Sequence, residues 1–312
     1  MGALVFVEGV PGSGKSTTAQ FLARQLVSAG RPARWIYEEE APNPFVPDVA
    51  DDAYRDWAHW TELHVERWRA FARSAARAGE TIVVESHLLQ RPVFTTLRRD
   101  VDTSVIEAAV NRFADAVATL APSLIYLSYD DPARAWRSIA AKRGPDFAAE
   151  VVRRSEEWPY VQSRGLAGLD GVLAYWQAHG ALCDKMVSWI PMRTLMIDAS
   201  RGEWASRRRQ MCEFLGAPDA VPSAPDARAL DHLAGTYKGA QRDLAVELIA
   251  GQLVLRGALW DTNPLLPVSP GLFDVEAWPF QARFTDDTLS LEGARLWWGG
   301  PVGVYRRDGR GR

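Results

Sequence analysis

Apolar and polar positions follow two different rhythms along the 312-residue chain. Up to residue 216, short β-rich runs at 3–8, 33–37, 81–85, 123–128 and 194–198 are separated by longer stretches with helical spacing. The last four runs are nearly all apolar, the pattern of strands covered on both faces in a parallel sheet. Helical spacing predicts helices over 15–29, 51–78, 105–120 and 132–142, two or more between 148 and 189, and another over 202–215. Gly30, Gly79 and Gly216 stand just past three of these, where a left-handed residue ends a helix. Strands alternating with helices predict an α/β domain over residues 1–217, built on a doubly wound, five-stranded parallel sheet.

The rhythm then breaks. Ala217-Pro218-Asp219-Ala220-Val221-Pro222-Ser223-Ala224-Pro225-Asp226 has no apolar period and reads as a linker, taken here as residues 218–229. Short alternating runs at 244–248, 252–256, 280–284, 288–291 and 302–305, split by Gly, Pro or Asp-Asp turns, predict a small antiparallel β domain over 230–312. No run approaches the roughly 18 apolar residues that span a bilayer. The apolar start at Ala3-Leu4-Val5-Phe6-Val7 lacks a basic flank and does not read as a signal peptide. The expectation is a cytoplasmic protein without a membrane partner.

Composition narrows the partners further. Hydrophobic residues make up 47% and charged residues 24%, which excludes a disordered or collagenous chain. The 36 basic and 39 acidic residues leave a net charge of −3, so no global attraction to nucleic acid is implied and any phosphate site must be local. Cys183 and Cys212 cannot build a disulfide framework, as expected of a reduced compartment. Lysines are confined to Lys15, Lys142, Lys185 and Lys238, while the 13 tryptophans are an unusual surplus.

The chemistry begins at Gly9-Val10-Pro11-Gly12-Ser13-Gly14-Lys15-Ser16-Thr17, which matches G-x-x-x-x-G-K-[ST] between an apolar strand and an amphipathic helix. Glycines let the backbone wrap phosphate oxygens, and the helix N-terminus supplies positive potential. Lys15 offers a point charge to the β- and γ-phosphates, and the Ser16 hydroxyl a ligand to Mg²⁺. The third strand ends in Glu85, at the sheet edge where such folds bind ligands. A carboxylate there can accept a proton from a substrate hydroxyl or hold Mg²⁺. His87 follows as a weaker candidate.

Together with Leu124-Ile125-Tyr126-Leu127-Ser128-Tyr129-Asp130-Asp131-Pro132, which leads into Arg134, Arg137, Lys142, Arg143 and Gly144, these features resemble the nucleoside and nucleotide kinase group of P-loop proteins over residues 1–216. The resemblance implies a P-loop NTPase-type sheet, a basic lid helix whose arginines close over the phosphates, and a base at the acidic residue after the third strand. Arg134 and Arg137, three residues apart, share a helix face on any reading. In one departure, the acidic residue of that group is followed by Arg and Ser, whereas Glu85 is followed by Ser86 and His87. The nearest arginine is Arg91. The acceptor is therefore open to a small molecule other than a nucleoside or nucleotide.

On the acceptor side, Trp57, Trp60, His64 and Trp68 recur at helical spacing, as a core stripe or as a ligand wall. Glu38, with Glu39 and Glu40, lies just past the second strand at the ligand edge. Asp48, Asp51 and Asp52 read as a solvated loop, and Arg153, Arg154, Trp158, Tyr160, Tyr175 and Trp176 as an enlarged lid or as packing. Residues 230–312, with Leu233-Ala234-Gly235-Thr236-Tyr237 and spaced leucines, are similar to small β-barrel modules found after penicillin-recognising hydrolases. The sequence thus points to a phosphotransferase using ATP, or GTP, and Mg²⁺ to phosphorylate a hydroxyl of a small molecule. The alternative is a nucleotide-gated binding protein whose β domain engages a partner. A homodimer is compatible with either.

Overall fold

The structure, a computed structural model, describes residues 3–47, 56–201, 203–220 and 230–308. The chain forms two compact units, Met1–Glu38 with Asn43–Asp219, and Glu39–Pro42 with Ala220–Arg312.

The first unit carries β1 (Leu4–Gly9), β2 (Ala33–Ile36), β3 (Thr81–Glu85), β4 (Ser123–Ser128) and β5 (Arg193–Asp198) in one sheet of order β2-β3-β1-β4-β5. Every pairing is parallel. Around it lie α1 (Lys15–Ser28), α2 (Trp57–Ala78), α3 (Gln90–Leu97), α4 (Thr103–Val117), α5 (Pro132–Arg143), α6 (Pro145–Ser155), α7 (Pro159–Ser163), α8 (Gly168–Val187) and α9 (Trp204–Leu215). Successive strand side chains point to opposite faces. Leu4 and Phe6 therefore enter one core with Ile82, Val84, Leu124 and Tyr126, packed by Trp68 of α2, Val93 of α3, Phe113 of α4 and Met186 of α8. Val5 and Val7 enter a second core with Val83, Ile125 and Leu127, packed by Leu22 and Leu26 of α1 and Met211 of α9. Two covered faces explain why the inner strands read as unbroken apolar runs.

The edges depart from that expectation. In β5 only Ile197 is buried, and Met196 is 56% exposed, because an edge strand has a neighbour on one side alone. Helix α3 was not legible, since it follows β3 within a few residues and contains Pro92. A proline in the first turn is tolerated because its missing N–H would have no intrahelical partner. The stretch 105–120 divides into α4 and a 3₁₀ turn at Ala118–Leu120. Helix α2 begins where the Asp56 carboxylate accepts the N–H groups of Ala58 and His59, at 3.0 and 3.1 Å. The expected helical residues 51–55, the acidic Asp48, Asp51 and Asp52, Gly202 and most of the proposed linker, 221–229, fall outside the described residues.

The second unit is a closed antiparallel barrel in the order β10-β11-β12-β13-β6-β7-β8-β9. Its strands are β6 (Gly235–Lys238), β7 (Asp243–Ile249), β8 (Gln252–Arg256), β9 (Asn263–Ser269), β10 (Leu272–Val275), β11 (Phe280–Thr285), β12 (Thr288–Gly293) and β13 (Gly303–Arg307). Tyr237, Leu244, Leu255, Phe273, Leu289 and Leu291 are among the side chains that fill it. β6 and β10 are too short to show a period, and Pro264 and Pro267 mask β9. The short segment of residues 39–42 belongs to this unit: Glu40 bridges to Leu296, and Trp298 Nε1 donates to the Glu39 carboxylate at 2.8 Å. Among the described residues, no helix is long and apolar enough to cross a membrane.

Candidate active site

In this strand order the chain departs to both sides of β1, so the crevice lies at its carboxyl end, between β3 and β4. The glycine loop starts there. Gly9 adopts φ 147°, and a Cβ on it would stand 2.5 Å from the Leu127 carbonyl oxygen of β4. Gly14 is left-handed and opens α1 without a side-chain cap or an acidic residue in the first turn. The helix therefore presents uncapped N–H groups and unopposed dipole potential to whatever lies over the loop. Gly12 is left-handed too, and a Cβ there would lie 2.7 Å from Ile139, so α5 packs directly on the loop.

Lys15 is buried and its ammonium donates to the Val10 carbonyl at 2.9 Å. Burial pushes its pKa down, against the pull of the Glu38, Glu85 and Glu8 carboxylates. Glu85, only 1% exposed, is pushed up to about 8 by burial and by the neighbouring Glu38 charge, against the Lys15 ammonium and the Ser16 hydroxyl. Its Oε1 accepts the Glu38 backbone N–H at 3.3 Å, and its Oε2 is buried without a hydrogen-bond partner. Glu38 is held from α3, where Gln90 Nε2 donates to both of its carboxylate oxygens at 3.1 and 3.2 Å and Arg91 donates to its backbone carbonyl at 2.9 Å.

Behind these carboxylates, Phe45, Trp60, His64, Trp68, His87, Arg91 and Phe113 line a cavity of about 40 Å³, room for one water. The rings pack closely, with Phe45 stacked on His87 at 4.8 Å and Trp60 tilted against His64 at 3.9 Å. His64 is lowered to about 4 by burial, and His87 well below its usual range for the same reason, so both are neutral near pH 7. The His64 Nδ1 lies 2.9 Å from the Trp60 carbonyl, an acceptor, which leaves its Nε2 as an acceptor facing other groups. The Trp60 Nε1 is buried without a partner. Trp57 packs edge-on against Trp60 at 5.6 Å and does not line this cavity.

The basic residues of α5 are turned to other tasks. Arg134 pairs with Asp130 at 2.7 Å and Arg137 with Asp131 at 3.8 Å. Arg143 lies over the Phe147 ring at 4.9 Å. Asp130 and Asp131 line a wider polar cavity of about 420 Å³ with Tyr129, Gln177 and Asp184. Arg153 and Arg154 share Glu150 on exposed α6, and Trp158, Tyr160, Tyr175 and Trp176 pack with Phe94 and α8.

Two groups central to this geometry were not singled out from sequence. Glu8 is fully buried at the end of β1, and Gln90 opens α3. A lone carboxylate inside the apolar run Leu4-Val5-Phe6-Val7-Glu8 was a readable signal, because a buried charge needs dedicated partners. Gln90 had none, since its helix was not anticipated.

No protein family and no curated protein matches the sequence. Among solved structures, the chain is similar to that of a deoxyadenosine kinase from M. mycoides with bound dATP, at 16% identity and a TM-score of 0.40, over 68% of this chain and 99% of that one. The described residues hold no cluster of three or more His, Cys, Asp or Glu side chains suited to a metal.

Proposed function

We propose that the chain is a cytoplasmic phosphotransferase that moves the γ-phosphate of ATP, or GTP, to a hydroxyl of a small molecule. The observation that carries this reading is the uncapped glycine loop with a buried lysine set beside a carboxylate whose Oε2 has no partner. Gly9, Pro11, Gly12, Ser13, Gly14, Lys15, Ser16 and Thr17 would hold the triphosphate. Mg²⁺ fits the same place: it keeps several waters and needs only one or two protein groups besides phosphate, which Ser16 and Glu85 supply. Its charge would offset that of the transferring phosphoryl group.

Glu85 orients the acceptor hydroxyl and takes its proton on Oε2 as the hydroxyl oxygen bonds to the γ-phosphorus and the bond to the departing diphosphate breaks. Raised to about 8 in the empty site, the Glu85 carboxyl holds its proton near neutral pH, and it serves as proton acceptor once a bound cation or a rise in pH has removed that proton. Glu38, Trp60, His64, His87 and Arg91 would bound the acceptor once their present cavity, with room for one water, has widened, with Trp57 supporting Trp60 from outside it. Arg134, Arg137 and Arg143 would neutralise the transferring group after leaving their present partners. The alternative, a nucleotide-gated binding protein, draws on exposed Trp297 and Val304 of the barrel, 67% and 64% accessible.

The test is incubation of a metabolite extract with γ-labelled ATP and identification of the labelled product by mass. Transfer is expected, abolished in Lys15→Ala and cut by a factor of about 10²–10⁴ in Glu85→Gln. Undiminished transfer by Glu85→Gln would remove Glu85 from the role of base.

A further inference from the structure

Glu8 takes no part in the chemistry proposed above, yet it occupies a mechanical junction. Its carboxylate is fully buried, with Oε1 accepting the Leu88 N–H at 2.7 Å and Oε2 accepting the Gln90 N–H at 3.0 Å. The Leu88 amide belongs to the turn between β3 and α3 and the Gln90 amide opens α3, so β1 supplies the carboxyl acceptor that this helix start lacks in its own sequence.

The turn needs that support. Ser86 has φ 64°, a left-handed conformation that costs an L-residue free energy and persists only where its surroundings enforce it. Ser86 N donates to the Val7 carbonyl at 3.1 Å, and Arg91 N donates to the Ser86 carbonyl at 2.8 Å. Glu8 closes the remaining side. The same turn positions Glu85 at its start and Gln90 and Arg91 at its end, and these last two hold Glu38. In the other direction Glu8 is bonded to Gly9, the first residue of the glycine loop, in which the Lys15 ammonium donates to the Val10 carbonyl.

We infer that Glu8 is a positioning residue that ties the phosphate loop to the turn of residues 86–91, so that filling the loop tightens the acceptor side. The inference rests on the reading that the loop binds a nucleoside triphosphate. A polyphosphate over α1 fixes the glycine loop from Gly9 onward, and with it the Glu8 backbone, so the carboxyl that accepts the Leu88 and Gln90 amides is held from an anchored strand end. Opening the turn costs more in the filled state than in the empty one, and that difference is the coupling between the two sides.

Hydrogen exchange on the full chain, with and without MgATP, tests this without knowledge of the acceptor. In the wild type, MgATP is expected to slow exchange over residues 10–17 and, by about fivefold or more, over residues 86–91. In Glu8→Gln, whose amide NH₂ faces one of the turn N–H groups, protection over 10–17 is expected to persist while the MgATP-dependent slowing over 86–91 disappears. Baseline protection of the turn falls in any structural account; only loss of the nucleotide-dependent increment reports positioning. Should Glu8→Gln fold poorly, adding Ser86→Gly relaxes the left-handed residue and restores the fold, and the increment is expected to stay absent. The inference is overturned if either variant keeps the increment, or if the wild type is protected over 10–17 alone. A wild type unprotected over 10–17 overturns the nucleotide reading itself, and this inference with it.

Discussion

The seat of α5 on the glycine loop can be measured through Gly12. Placing alanine there forces a residue with a side chain into φ +85° and puts its Cβ 2.7 Å from Ile139 Cγ1, 2.9 Å from Ile139 Cδ1 and 3.1 Å from the Ala135 carbonyl oxygen. The left-handed backbone costs about 1–2 kcal/mol. Crowding against Ile139 adds about 1–3 kcal/mol, because real Cβ atoms essentially never approach within 3 Å of a neighbour and the Ile139 side chain or its helix must give way. Gly12→Ala should therefore lose roughly 2–5 kcal/mol of unfolding free energy, read from the midpoint of urea denaturation at unchanged slope. Ile139→Ala deletes the two nearest crowding atoms, leaving the backbone part of the penalty and the closer-than-usual approach to the Ala135 carbonyl oxygen. In that background Gly12→Ala should cost about 1–3 kcal/mol less than in the wild type, a positive coupling in the double-mutant cycle. Equal penalties in the two backgrounds would mean that α5 does not rest on the glycine loop.

The raised carboxyl of Glu85 makes stability depend on pH. Between the free value of 4.5 and about 8 the folded state holds a proton that the unfolded state has released, so stability falls as pH rises through this window. Glu85→Gln lacks that dependence, and in metal-free buffer its stability relative to wild type should climb by up to about 1.4 kcal/mol per pH unit there. Parallel curves would refute the raised value. Buried His64 and His179, both lowered to about 4, act in the opposite sense below about pH 6.5, so the difference between the two proteins is the quantity to read. Trp68→Ala should lose about 3–5 kcal/mol in thermal or chemical unfolding, since its ring is stacked on Phe113 and fully buried. Trp60→Phe keeps most of the apolar area and deletes an N–H without a partner, so its unfolding free energy should stay within about 1 kcal/mol of wild type. Its effect should appear instead in acceptor KM.

The sequence by itself determined the parts of this protein whose cause is local. Alternating apolar runs and helical spacing predict the parallel sheet, and the backbone needs of Gly9, Gly12 and Gly14 mark the loop before any contact is known. Strands 81–85 and 123–128 were read to the residue, because two covered faces give each an unbroken apolar interior with a polar residue at either end. Only tertiary structure decided the rest. The exposure of β5 follows from its place at a sheet edge, which strand composition does not encode. Helix α3 starts on a carboxyl acceptor supplied by Glu8, 82 residues before Gln90 in sequence, so its cap is invisible in its own segment. The same holds for Glu85. Its position at a strand end was legible, but its raised pKa arises from burial and from Glu38, 47 residues away, brought alongside by the pairing of β2 with β3. Hydrophobic period and backbone conformation are properties of neighbours along the chain; electrostatic environment is a property of neighbours in space, and the fold alone chooses those.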